Sequence, residues 1–79
     1  MGMTEHTRKM QAMLDYLSIT FAKAGVELDF DYDPEKEAVI IYSPERDERF
    51  YVNVRMDSVA AALFDVFKQA NQFLHECAF

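Results

Sequence analysis

The stretch GVELDFDYDP, Gly25 to Pro34, decides the fold. Val26, Leu28, Phe30 and Tyr32 alternate with Glu27, Asp29, Asp31 and Asp33, so over residues 26–32 every second side chain is apolar. A period of two puts one kind of side chain on each face of an extended chain, and predicts a strand with one dry face. Gly25 stands in front of it, where a residue without Cβ most readily takes the left-handed conformation that ends a helix. Behind it, Asp33-Pro34-Glu35-Lys36 carries a type I turn signature: proline presets φ at the second position and aspartate bonds the backbone ahead of it.

Upstream, Met10, Met13, Leu14, Leu17, Phe21 and Ala24 recur at steps of three and four, the period of one helical face, and predict a helix over about 4–24. Downstream, Ala38, Val39, Ile40, Ile41 and Tyr42 are apolar on both parities, as suits the middle strand of three, over about 37–43. A polar turn from Ser43 to Asp47 leads into a second alternating stretch, about 49–55, with Phe50, Val52 and Val54 against Tyr51, Asn53 and Arg55. Asp57 or Ser58 can cap a last helix over about 58–77, whose stripe is Val59, Leu63, Val66, Phe67, Ala70, Phe73, Leu74 and Cys77. Two amphipathic helices and a short-looped meander predict one α+β domain over 1–79, a two-layer sandwich in the order α-β-β-β-α. Its sheet is a three-stranded antiparallel meander, with both helices on the face that carries Val26, Leu28, Phe30, Phe50, Val52 and Val54.

Fourteen acidic against eight basic residues give a net charge of −6, and the bases sit mostly among acids, as in Glu45-Arg46-Asp47-Glu48-Arg49. Such a chain repels phosphate backbones and anionic lipid, so neither nucleic acid nor membrane is expected as a partner. The one cysteine, Cys77, allows no internal disulfide, and no apolar run is long enough to cross a bilayer. A cytoplasmic setting is the expectation.

Catalytic groupings are absent from the pattern. Asp29, Asp31 and Asp33 line one strand face, where they cannot wrap around a cation as a calcium loop does. His75 and Cys77, two apart on a helix, point in different directions, and His6 is the only other histidine. Carboxylates such as Glu35 with Glu37, or Asp47 with Glu48, sit in hydrated turns that would not raise a pKa toward general-acid duty. No phosphate-binding glycine loop is present. The chain reads as non-enzymatic, with no metal and no cofactor.

What remains is the sheet face that the helices leave bare. A two-residue or four-residue loop at Pro34 sets Val39 and Ile41 opposite Phe30 and Leu28 in the core and turns Ile40 and Tyr42 outward; a three-residue loop inverts this. The first arrangement places Glu27, Asp29 and Asp31 on one edge, Ile40 and Tyr42 in the centre, and Arg49, Tyr51, Asn53 and Arg55 on the other. The face reads either as a contact surface, with apolar centre and polar rim, or as solvated β-formers. The functional expectation is a protein-interaction domain, a homodimer or a binder of another protein, using Ile40, Tyr42, Tyr51, Asn53, Arg55 and Asp29. Opposite charges on the two edges would let two copies meet antiparallel. The alternative is an apolar small-ligand site in the helix–sheet core among Phe21, Phe64, Phe67, Phe73, Met10 and Met13.

Overall fold

The computed structural model describes residues 5–55 and 58–77, without the side chains of Glu76 and Cys77. Thr4, the capping candidate Asp57 and the terminal Ala78-Phe79 lie outside the described residues, as does the stripe position of the Cys77 side chain. The order is α1 (Glu5–Lys23), β1 (Asp29–Asp33), β2 (Ala38–Ser43), β3 (Glu48–Asn53) and α2 (Val59–Cys77). The strands form one antiparallel sheet in the order β1-β2-β3, the expected α+β meander.

Each boundary has a local cause. Gly25 takes φ +83°, its N–H bonds Ala22 O and the Val26 N–H bonds Phe21 O, so α1 ends in a Schellman cap. That cap corrects the start of β1: Val26 to Leu28 complete the turn out of the helix, and pairing begins at Asp29 rather than at residue 26. Of the two capping candidates Ser58 serves α2, its hydroxyl accepting the Ala61 N–H at 3.2 Å. Both hairpin loops span four residues, 34–37 and 44–47, and each ends in a residue with positive φ, Glu37 at 50° and Asp47 at 53°. Asp33 Oδ1 accepts the N–H groups of Glu35 and Lys36, tying down the first loop as its sequence implied.

The four-residue loop gives the expected parity but slides the partners by one pair: Phe30 faces Ile41 and Tyr32 faces Val39. Both helices pack on the inner face. Met10, Leu14 and Phe21 of α1, Phe30, Val39, Ile41 and Val52 of the sheet, and Ala62, Val66 and Ala70 of α2 form one buried cluster. Phe21 lies 5.7 Å from Phe30 and 5.9 Å from Phe67, and Phe50 lies 5.1 Å from Phe73, so ring contacts join the two layers. Burying each of the larger side chains contributes about 1.5–3 kcal/mol against exposure. No helix among the described residues is long and apolar enough to cross a membrane.

Candidate interaction surfaces

Register arranges the bare sheet face in three rows across the strands: Asp29, Tyr42 and Arg49; Asp31, Ile40 and Tyr51; Asp33, Ala38 and Asn53. Five of the six predicted contact residues are thus brought together. Arg55 is not among them: it follows β3 in a turn, with Nε 3.7 Å from Glu37 Oε2 and its N–H on Asn53 Oδ1. Glu27 likewise precedes β1. The aromatic members are partly covered by their own surroundings. The Tyr42 hydroxyl donates to Asp47 Oδ1 at 2.9 Å, Arg49 lies 5.5 Å from the Tyr42 ring, and Lys36 lies 5.6 Å from the Tyr51 ring. The bond to Asp47 raises the Tyr42 pKa above its ordinary value, with desolvation adding to it. Ile40 and Tyr42 are half-buried, and Tyr51 is exposed.

A second surface lies on the opposite side of the molecule, along the seam between α1 and α2. Tyr16 is 71% exposed, Phe64 65%, Phe67 46% and Met13 45%. Of these Met13 lines a groove of about 420 Å³, with Lys9 and Ala12 of α1 and Val59, Ala60 and Leu63 of α2. Periodicity assigned Met13 and Phe67 to the core stripes, but both sit on the flank of their stripe that faces the other helix, and each reaches water there. Tyr16 and Phe64 belong to neither stripe. That surplus of large apolar residues beyond one helical face was the available sequence signal for this surface.

The third feature is the difference between the two sheet edges. The Val54 N–H bonds Glu37 O, which sets the alternation of the ladder. Residues 48, 50 and 52 of β3 therefore bond β2, while the N–H and C=O groups of Arg49, Tyr51 and Asn53 point away from the sheet. By the same alternation Leu28, Phe30 and Tyr32 point outward from β1. There α1 meets them: Gln11 Nε2 donates to Phe30 O at 3.1 Å, Gln11 Oε1 accepts the Tyr32 N–H at 3.0 Å, and the Ser18 hydroxyl donates to Leu28 O at 2.8 Å. One glutamine amide thus bonds the strand as a neighbouring strand would. On the β3 side the nearest amides, Gln69 and Gln72 of α2, make no hydrogen bond among the described residues and line a groove of about 260 Å³ with Glu48, Arg49, Phe50 and Phe73.

Charge is divided as unevenly as the edges are. In α1 the acids Glu5 and Asp15 stand against Arg8, Lys9 and Lys23, and in α2 Asp65 and Glu76 stand against Lys68, so the two helices together carry no net charge. The whole −6 therefore falls between them, with six acids and one lysine in residues 27–37 alone. No group of three or more histidine, cysteine or acidic side chains placed to hold a metal ion occurs among the described residues. No protein family's sequence profile matches the chain, and neither a curated protein nor a solved structure matches it.

Proposed function

We propose that this chain is a non-enzymatic protein-interaction domain that dimerises through the α1–α2 seam. The carrying observation is the groove between α1 and α2 that Met13 lines, together with the exposure of Tyr16, Phe64 and Phe67 on the same two helices. At the 150–250 Å² that a large side chain can bury, these four leave roughly 450 Å² of apolar surface open, at the upper end of what a monomer shows. A standard interface buries about 800 Å² per partner, so this patch would supply its core and the helix flanks its rim. Charge selects a second copy of the chain as the occupant. Two copies meeting seam to seam bring together layers with no net charge, whereas meeting sheet to sheet would bring together the two layers that carry the whole −6 of each chain, even with acid edge set against arginine edge.

The original expectation of a sheet-face contact through Ile40, Tyr42 and Tyr51 gives a sharp alternative. Solution mass by sedimentation separates the two. Phe64→Glu is expected to convert a dimer to a monomer with an unchanged fold by circular dichroism, while Ile40→Glu leaves the dimer intact. The reverse pattern moves the interface to the sheet, and a wild type that stays monomeric at high concentration defeats dimerisation altogether. A small apolar ligand is the second reading, supported by the lining of the seam groove, in which Lys9 is the one charged residue among Ala12, Met13, Val59, Ala60 and Leu63. A rise in thermal midpoint with such a ligand, at unchanged mass, would favour it.

A further inference from the structure

Independently of the seam, we infer that β3 is a docking edge for an extended segment of another polypeptide, one with acidic side chains at alternate positions. The main chain supplies the first argument. Arg49, Tyr51 and Asn53 present three N–H and three C=O groups outward, without a partner among the described residues, and an added antiparallel strand would bond them as β2 bonds the other edge. On the β1 side Gln11 and Ser18 bond three of the equivalent groups, Leu28 O, Phe30 O and Tyr32 N, so β3 is the more open edge.

The groove alongside supplies the second. A strand added to β3 would turn alternate side chains toward the space between β3 and α2, whose walls are the Phe50–Phe73 ring pair, Gln69 and Gln72, with Glu48 and Arg49 beside them. Those side chains would be apolar, resting on the rings, while the two glutamine amides lie within the groove to meet the incoming main chain.

Side-chain charge supplies the third, and selects the occupant. On the outer face the β3 row reads Arg49, Tyr51 and Asn53, with no acid among them; Arg55 lies beyond the row and pairs with Glu37. Of the acids at alternate positions of the incoming strand, one would stand opposite or diagonal to Arg49, with an apolar or aromatic residue opposite Tyr51. The acids of the domain itself are concentrated at the other edge, around β1. A second copy offering its own β3 would set two arginine-bearing rows side by side, and one offering β1 would present an edge already bonded to Gln11.

The test uses the whole chain with a short synthetic peptide alternating glutamate and valine, and the same peptide with lysine for glutamate. Amide hydrogen exchange followed by NMR is the readout. The glutamate peptide is expected to slow exchange at Arg49, Tyr51 and Asn53 while leaving Phe50 and Val52, already bonded to β2, unchanged. The lysine peptide should bind about ten-fold more weakly. Tyr51→Pro removes an outward N–H without breaking the ladder to β2 and should abolish binding. Arg49→Glu, a change at an exposed position, should reverse the preference between the peptides and covers the case in which the proline variant fails to fold. The inference is overturned if neither peptide binds, if both bind equally, if protection falls elsewhere, or if the three amides become protected by raising protein concentration alone, which would make a second copy the occupant.

Discussion

The two edges of this sheet are chemically the same object, a row of main-chain donors and acceptors with no strand beside it, yet the molecule treats them in opposite ways. At β1 a glutamine and a serine from α1 bond three of the outward groups, Leu28 O, Phe30 O and Tyr32 N. At β3 the outward groups of Arg49, Tyr51 and Asn53 are left to solvent, and the neighbouring glutamines of α2 stand back across a groove. An unprotected edge is an aggregation hazard, and sealing is one of the recognised remedies. The remedy is applied in part at β1, while β3 carries only the charge of Arg49 beside its outward groups.

The largest expected effect comes from removing the seal. Gln11→Leu deprives two partly buried main-chain groups of their partner and should cost about 1–3 kcal/mol in chemical denaturation. It should also make β1 an open edge, with aggregation that rises with concentration. The matched change Gln69→Leu on α2 should lie within about 0.5 kcal/mol of the parent, because Gln69 bonds nothing among the described residues. Equal costs for the two would erase the distinction between the edges.

A smaller effect is expected at the cap that steers the chain into β1. Gly25 has φ +83° and open space where a Cβ would stand, so Gly25→Ala carries only the backbone penalty, about 1–2 kcal/mol, or a thermal midpoint lower by roughly 4–16 °C. No loss would show that the cap relaxes without disturbing the strand.

The smallest is a pH effect at the sealed edge. Burial, then the nearby charges of Glu37 and Asp33, raise the Tyr32 pKa above its ordinary value near 10. Below that ordinary value both folded and unfolded chains keep the phenol neutral and the contribution is fully present. As pH rises from there through the higher folded value, the unfolded chain ionises first and the contribution is lost. Tyr32→Phe should therefore flatten the fall in stability above about pH 10. A slope unchanged by the substitution would assign the alkaline loss to other groups, with Tyr42 the next to replace.

Much of this architecture was legible in the residues. The change of period at Gly25 marked the end of α1, alternation marked β1 and β3, and Asp33-Pro34 marked the reversal, because each of these depends on neighbours in sequence. The start of β1 was misplaced because alternation begins at Val26 while pairing waits for the cap to finish. The bare sheet face was legible only as one of two parities, and the four-residue loop selects the one with Ile40 and Tyr42 outward, from which Arg55 and Glu27 drop out because they lie beyond the ends of their strands. The seam was missed for a different reason. Met13 and Phe67 fit a helical stripe by spacing, and only the distance and tilt between the helices decide whether the flank of a stripe is covered. The contrast between the edges was out of reach as well, since a glutamine at position 11 announces nothing until the helix is laid against the strand.

One consequence of the meander concerns how quickly the chain can find its structure. Every strand pairs only with its neighbour in sequence across a four-residue loop, and α1 docks on the strand that directly follows it. Loop closure is therefore cheap for the whole of residues 5–53, and such local topologies fold in milliseconds or less. The docking of α2 against α1 is the one long-range step, which makes the last helix the natural late arrival and the first element to detach under mild stress.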